Sequence, residues 1–298
     1  MSEESINGTT EVIGEILRTK FEEIKNRAIG NTCDSGIQVS FYDYDAMTQG
    51  FPRGGLIVLG GRPAMGKTSF SLNIALNVAK TQNLPICLFN LEINKEQISN
   101  RLLSMELGIE SGRLRTGRLE QDEWFALDEG INSLSKLPLH ITDKPISSIQ
   151  EMQSICQNIK KESTKKSLGL VILDYVQLLD YLPKSDVSNK EEYLLKAAKS
   201  LKRMAEELNV PVIVISQLSK DVEKRRNKRP MLSDIKDFEP LEVYSDIITM
   251  VYRDEYYNPE TEDRGITEII TCKHRNGPLG TVKLLFEPQF TRYRNLAG

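Results

Sequence analysis

One eight-residue stretch constrains this chain more than any other. Residues 61–68 read Gly-Arg-Pro-Ala-Met-Gly-Lys-Thr and fit the pattern G-x-x-x-x-G-K-[ST] without a mismatch. The apolar residues 56–60 predict a short buried strand before it, and residues 70–78 carry apolar side chains at helical spacing after it. Between a strand and a helix, this pattern predicts a phosphate-binding loop; a chance glycine-rich turn is the alternative.

The chemistry of such a loop accounts for its residue types. Successive backbone N–H groups converge on phosphate oxygens, and the following helix directs its positive end at them. Lys67 can reach the β- and γ-phosphates of a nucleotide, and the Thr68 hydroxyl can ligate Mg²⁺. The predicted nucleotide-binding residues of the loop are Gly61, Arg62, Pro63, Ala64, Met65, Gly66, Lys67, Thr68 and Ser69.

Three polar residues at predicted strand ends indicate hydrolysis. Asp174 follows the apolar residues 169–173, so its carboxylate can hold Mg²⁺ through water, or else cap a helix. Glu92 ends the strand expected beside the loop strand and can polarise an attacking water. Gln217 can sense a γ-phosphate or be a solvated loop amide. Ligands of open α/β sheets bind at the carboxyl ends of strands, so these side chains can converge.

The order of elements predicts an α/β fold. Strands and helices alternate from residue 56 to residue 215, and the apolar strands are unpunctuated, which indicates a mostly parallel twisted sheet flanked by helices. Strand follows strand after Asp246, which indicates antiparallel strands added near the C-terminus. Residues 113–117 are predicted as a turn, and residues 233–240 as a loop.

The first 38 residues are predicted to be separate from the domain at residues 39–298. Apolar side chains between residues 9 and 28 fall on one helical stripe, with Thr9 or Thr10 as a cap and Gly30 as a stop. A polar linker follows. A lone amphipathic helix cannot bury its stripe on itself, so it packs either on its own domain or on another subunit.

The net charge of −3 over 298 residues gives no overall attraction to nucleic acid, so any such site must be a local basic patch. The densest positive run lies within residues 220–229, here called the basic segment; it either contacts phosphates or is a solvated loop. The four cysteines are isolated, which predicts a reduced, cytoplasmic protein. No signal peptide or membrane-spanning run is recognised, so no membrane association is expected.

Two cations lie on the late hairpin, Lys273 and Arg275. Phosphoryl transfer benefits from a cation that can be supplied by a neighbouring subunit. The alternative is an exposed edge strand guarded by charges.

Taken together, these motifs resemble the RecA-like motor domain of DnaB-type replicative DNA helicases. The resemblance runs from about residue 41 to residue 296. Its matching blocks are residues 61–68, 89–92, 114–117, 173–178, 216–219, 228–230, 252–257 and 273–278. Many blocks in one order are far more specific than any one of them.

The resemblance implies a RecA-like P-loop NTPase that binds ATP and Mg²⁺ between the subunits of a homohexamer. It implies Glu92 as catalytic base, Arg275 as an arginine finger with Lys273 beside it, and residues 9–28 as a linker helix docked on the next subunit. Single-stranded DNA would run through the channel while hydrolysis drives translocation and unwinding. A primase and a helicase loader are the further partners that it suggests. Catalytic roles are thus expected for Glu92, Lys67, Arg275, Lys273 and Gln217, Mg²⁺ ligation for Thr68 and Asp174, and DNA contacts for Arg225, Arg226, Lys228 and Lys236.

Two departures qualify this expectation. The sequence begins just before the linker helix, so the helical N-terminal domain common in the family is expected to be missing, in either a naturally short relative or a fragment. In the channel loop, Glu239 stands where the family has a glycine, Pro240 lacks an N–H donor, and only Lys236 keeps a cation. Two alternatives to a helicase motor therefore stay open: a RecA-like recombination or repair ATPase, and a nucleotide-binding ring component with a weakened DNA grip.

Overall fold

The computed structural model describes residues 12–28, 36–144, 146, 148–164, 167–174, 190–235 and 239–296. It divides into two compact units, one ending at Gly36 and one beginning at Ile37. The strands of the second unit are β1 (Leu56–Gly61), β2 (Ile86–Asn90), β3 (Leu139–Thr142), β4 (Leu170–Asp174), β5 (Val212–Gln217), β6 (Ile247–Tyr252), β7 (Ile266–His274), β8 (Gly280–Glu287) and β9 (Arg292–Asn295).

The α-helices in these ranges are α1 (Ile13–Ala28), α2 (Tyr42–Thr48), α3 (Lys67–Gln82), α4 (Lys95–Leu107), α5 (Ser111–Thr116), α6 (Gln121–Leu134), α7 (Ile149–Glu162), α8 (Lys190–Leu208) and α9 (Glu239–Tyr244). Among the residues that the structure describes, no helix is both long enough and apolar enough to span a membrane.

The strands form one sheet in the order β3-β2-β4-β5-β1-β6-β7-β8-β9. The six strands from β3 to β6 in this order are parallel, and β7, β8 and β9 are added by antiparallel pairing. The predicted fold class, a mostly parallel sheet with antiparallel strands near the C-terminus, is confirmed.

Both faces of the parallel strands are buried because an apolar layer covers each of them. Along β1, Ile57 and Leu59 pack into one core with α3, whereas Leu56 and Val58 pack into the other with α7 and α8. This alternation follows from successive strand side chains pointing to opposite faces. It also explains why the strands read as continuous apolar runs rather than as alternating ones. The carboxyl ends of the parallel strands are thereby held at one edge.

The first unit contains α1. Its apolar side chains, predicted to form one stripe, are exposed: Val12, Ile13, Ile16, Leu17, Phe21 and Ile24. The proposed caps at Thr9 or Thr10 and the stop at Gly30 lie outside the described residues.

Two local predictions are corrected, and one strand was missed. Residues 113–117 are not a simple turn, since α5 occupies Ser111–Thr116 and ends at Gly117, whose φ is 67°. Within residues 233–240, a 3-10 helix covers Leu232–Asp234 and α9 begins at Glu239. Pro240 thus lies in the first turn of a helix, where the missing N–H is unpaired in any case. Strand β9 was not predicted.

Candidate nucleotide-binding site

The phosphate-binding loop connects β1 to α3 at the carboxyl edge of the sheet. Gly66 has φ 95° and precedes the first residue of α3. A Cβ there would lie 2.3 Å from the Tyr293 hydroxyl, so this position requires glycine for both backbone and space. The end of β1 pairs with the end of β5, with Gly61 opposite Gln217. The sheet register therefore brings the loop and the predicted sensing amide together.

Lys67 lies at the floor of this loop and is largely withdrawn from water. Its Nζ donates to the Arg62 carbonyl at 3.0 Å. Burial lowers the pKa of Lys67 to about 8, although Asp174 and Glu92 act in the opposite direction. A partly desolvated ammonium is suited to an anionic ligand, whose charge favours the protonated form.

Asp174 is buried at the end of β4, only 1% exposed. Its Oδ2 accepts from the Thr68 hydroxyl at 2.7 Å and from Asn90 Nδ2 at 3.2 Å. Among the described residues its Oδ1 has no partner. Burial raises the pKa of this carboxyl to about 6, against the hydrogen bond from Thr68 and the charge of Lys67.

The Thr68 and Asp174 pair fits Mg²⁺. An orphaned buried carboxylate oxygen beside a hydroxyl supplies the hard oxygen ligands that this ion prefers. In the described residues no group of three or more His, Cys, Asp or Glu side chains is placed to hold a metal. The ion would thus depend on these two side chains, phosphate oxygens and water, as Mg²⁺ in nucleotide sites commonly does.

A cavity of about 400 Å³ opens over the loop. It brings together most of the residues predicted for nucleotide binding and catalysis: Pro63, Ala64, Gly66, Lys67, Thr68, Ser69, Glu92, Asp174 and Gln217. Two loop residues point elsewhere, because Met65 is buried in the core and the Arg62 side chain turns into the protein. Their expected contribution to nucleotide binding is limited to the backbone.

Sequence reasoning missed two arginines on the cavity wall. Arg101 of α4 lines it, and burial lowers its pKa against the charges of Asp174 and Glu92. Arg253 follows β6, donates to the Ala64 carbonyl at 3.3 Å and lies over the Phe286 ring at 4.8 Å. Arg253 lies in a block that supported the family resemblance, which is a signal for it. Arg101 carries no comparable signal, because it is one cation on an amphipathic helix.

Lys273 and Arg275 are far from this cavity within the chain. Strand β6 runs parallel to β1, and the end of β7 pairs with the beginning of β6, so both cations lie towards the amino end of the parallel strands. Arg275 donates to the carbonyls of Ser245 at 3.0 Å and Val243 at 2.6 Å. Lys273 donates to the Glu242 carbonyl.

Several cations of the basic segment already have partners within the chain. Arg225 makes a two-armed ion pair with the buried Asp234, both bonds 2.8 Å, and Arg229 pairs with Glu268. Lys228 donates to the carbonyls of Glu223 and Arg225. Further cations on it are Lys220, Arg226 and Lys224, the last paired with Asp221. Lys236 lies outside the described residues.

This arrangement defines a class. A phosphate-binding loop after β1, with carboxylates and an amide at neighbouring strand ends, is the site of a P-loop NTPase on a RecA-like sheet. The model of the DnaB-like helicase C terminal domain matches residues 36–295, and the chain belongs to this family.

Similar proteins are named as replicative DNA helicases. The chain is 45% identical over 262 residues to the "Probable replicative DNA helicase" of Trieres chinensis, covering 87% of this chain and 57% of that protein. It is 38% identical over 296 residues to "Replicative DNA helicase DnaB" of Geobacillus stearothermophilus, covering 99% and 64%. It thus spans about three fifths of the length of these relatives.

Solved structures show the same likeness. A solved ATPase domain superposes with a TM-score of 0.88 at 34% identity, covering 97% of this chain and all of that one. A DnaB-like replicative helicase, solved in a study of its interactions with primase, superposes at 0.87 and 34% identity, covering 98% of this chain and 69% of that one. The RadB recombinase, at 0.53 and 18% identity, shares the fold alone.

Proposed function

We propose that this chain is the ATP-hydrolysing motor domain of a DNA helicase of replication, working as a hexameric ring. The observation that supports it most is a division of the machinery within one chain. The phosphate loop, Asp174 and Glu92 lie at one edge of the sheet, whereas Arg275 lies towards the other. Such an arrangement is complete only when a second copy supplies the arginine.

ATP would bind with its phosphates on the loop and its base towards Arg253 and Phe286, which line the same cavity. Mg²⁺, held by Thr68, Asp174 and the phosphates, would neutralise charge on the transferring group. Lys67 would exchange its bond to the Arg62 carbonyl for phosphate oxygens.

Hydrolysis needs a positioned water and a cation on the developing charge. Glu92 lines the cavity beside Lys67 and is the candidate to orient and deprotonate that water. Gln217, opposite Gly61, would contact the γ-phosphate and move with its loss. Arg275 of one subunit, with Lys273 beside it, would stabilise the transition state in the next subunit.

The ring is inferred from the exposed helix α1, and the DNA site from the cations of the sequence. Residues 1–38 would serve as a linker whose helix α1 docks its exposed apolar side chains on a neighbouring subunit, and residues 39–298 as the motor. Single-stranded DNA would be held through Arg226, Lys228 and Lys236. A primase and a loader are further partners, in keeping with the primase study of a relative.

One observation favours a second function, a nucleotide-binding ring component with a weak DNA grip. Arg225 and Arg229 of the basic segment are paired with carboxylates of the chain itself. Charges already paired gain less from a phosphate backbone than free ones.

A strand-displacement assay separates the two functions. The protein is assayed on a forked duplex with and without ATP, and ring size is measured on the same sample. A motor gives ATP-dependent strand separation by a hexamer. Hydrolysis without strand separation would favour the ring component, and no hydrolysis at all would contradict both the motor and the ATPase site.

A further inference from the structure

The Arg62 side chain leaves the phosphate loop and enters the protein interior. It is only 7% exposed. Its Nη1 donates to the Leu218 carbonyl at 2.8 Å, and its Nε and Nη2 reach one carboxylate oxygen of Glu223 at 2.9 Å and 2.8 Å. A buried guanidinium with all three nitrogens engaged has a fixed position.

The two partners of this arginine lie at different functional places. Leu218 directly follows Gln217, which lines the cavity. Glu223 lies in the 3-10 helix Lys220–Lys224, within the basic segment, and its own carbonyl accepts from Lys228 Nζ at 2.7 Å. One side chain therefore fastens both the end of β5 and the basic segment to the phosphate loop.

The backbone carbonyl of the same residue contacts Lys67, which lines the cavity. The Arg62 carbonyl accepts the hydrogen bond from Lys67 Nζ at 3.0 Å. A triphosphate that draws Lys67 to its oxygens removes this bond and changes what holds the Arg62 peptide in place. The residue thus has its carbonyl on the phosphate-binding ammonium and its guanidinium on the basic segment.

We infer that Arg62 is a positioning residue that, through Glu223, couples phosphate binding in the loop to DNA binding by the basic segment. The inference rests on the proposed function and adds the physical link between its two ligands. It requires that nucleotide and DNA change each other's affinity by one shared factor, as linkage demands.

Arginine suits this position because of its donor geometry. Its planar fork satisfies a carbonyl and a carboxylate at once, whereas the single ammonium of lysine cannot hold both in fixed directions. Glu223 is the better residue to change, because its side chain is 45% exposed and lies outside the cavity. Its replacement does not alter the loop sequence.

The test measures how DNA and nucleotide affect each other's affinity, in the full wild-type chain and in Glu223→Gln. Affinity for a fluorescent single-stranded DNA is measured with and without the non-hydrolysable analogue AMP-PNP and Mg²⁺. Affinity for a fluorescent analogue of the nucleotide is measured with and without DNA. The matched control is Glu260→Gln, an equal change of charge at an exposed carboxylate.

We expect a wild-type coupling factor between about 5 and 150, the range usual for linked sites. In Glu223→Gln it falls to within about twofold of one, while nucleotide affinity without DNA is retained and Glu260→Gln behaves as wild type. A Glu223 that is only a surface charge predicts the opposite pattern: tighter DNA binding from the added positive charge, with coupling unchanged.

Two results would overturn the inference alone. One is a Glu223→Gln protein that binds both ligands and keeps the wild-type factor. The other is a wild type that binds both ligands with no coupling. A wild type that binds neither would instead contradict the proposed function. Arg62→Met and the double variant with Glu223→Gln complete a double-mutant cycle. If both residues act through one link, the double variant loses no more coupling than either single variant.

Discussion

The proposed Mg²⁺ ligand Asp174 is buried at a cost to the stability of the empty protein. Its carboxyl is 1% exposed, and burial raises its pKa to about 6, above the usual value of 3.8. The folded state therefore binds this proton more tightly than the unfolded chain, so the charged form at neutral pH opposes folding. The pKa of Lys67 shifts the other way, since burial lowers it to about 8, but there too the charged form opposes folding.

We predict that Asp174→Asn makes the empty protein more stable and inactive. Removing the buried charge should raise the free energy of unfolding by about 1–3 kcal/mol, and hydrolysis should be lost with the Mg²⁺ ligand. Thermal denaturation with and without MgATP measures both effects, because the wild type should gain stability from ligand and the variant should not. The control is Asp122→Asn, at an exposed position in α6. A variant less stable than wild type would contradict this account of the charge.

A second prediction concerns the proton on Lys67. With a pKa of about 8, the free lysine is mostly neutral at pH 8.5, whereas bound phosphate favours the ammonium form. Binding of MgADP should then take up about 0.7 proton per site at pH 8.5 but only about 0.1 at pH 7. Calorimetric titration in buffers of different ionisation enthalpy measures the uptake. Equal uptake at the two pH values would show that the lysine titrates elsewhere.

At the scale of elements, strands with two buried faces were predictable from the sequence, whereas short or exposed elements were not. Strands β1, β2, β4 and β5 read as apolar runs because both faces of each are buried. Strand β9 has four residues, of which only Tyr293 is buried at its position, so no run marks it. Helix α5 has no buried residue at all, which leaves no apolar period to read.

The site divides in the same way. The loop, Asp174, Glu92 and Gln217 follow strand ends, and strand ends can be read from a sequence. Arg253 also follows a strand end, that of β6, and lies in a block of the family resemblance, so a signal for it existed. Arg101 lines the cavity from α4, and neither a strand end nor a motif marks it. Whether the basic segment is free also could not be read, because Asp234 and Glu268 reach it through tertiary contacts.

The basic segment allows a prediction that separates structure from DNA contact. Arg226 is exposed and makes no ion pair within the described residues, so Arg226→Gln should weaken single-stranded DNA binding and lower the salt slope by about 0.7. Arg225 instead pairs with Asp234, which is 3% exposed. Arg225→Gln leaves that carboxylate buried without its cation and should cost about 2 kcal/mol of stability.

Salt-dependent DNA titration and chemical denaturation of both variants decide this comparison. The assignment of roles fails if Arg225→Gln keeps wild-type stability while Arg226→Gln keeps the wild-type salt slope. Either variant serves as the control for the other, because both remove one positive charge from the same segment.

At the scale of the whole molecule, the main feature is that Arg275 and the phosphate loop lie at opposite ends of the parallel strands. Within the chain Arg275 is held by the Ser245 and Val243 carbonyls and lies 3.6 Å from Asp246. These contacts are towards the edge of the sheet opposite the cavity, so this arginine cannot act on a nucleotide bound by the same subunit. In the proposed ring, one repeated interface would bring the arginine of a neighbour to every cavity.

We therefore predict that Arg275→Ala binds nucleotide normally but hydrolyses it about 10³-fold more slowly. Glu92→Gln should also bind and not hydrolyse. When the two inactive proteins are mixed and reassembled, an interface with Glu92 on one side and Arg275 on the other is complete, and random mixing makes about a quarter of the interfaces complete. Activity should reappear at about that fraction of the wild-type rate.

The control for this experiment is Arg264→Ala, which removes an exposed arginine from the turn before β7 and should hydrolyse ATP at the wild-type rate. Mixed with Glu92→Gln, it should gain nothing beyond its own activity. Two inactive variants that stay inactive in mixed rings would place the missing cation within the subunit. A wild type that remains monomeric with ATP and DNA yet hydrolyses at full rate would also contradict the role of Arg275. A lone chain keeps this arginine away from its own cavity, so another group would have to supply the charge.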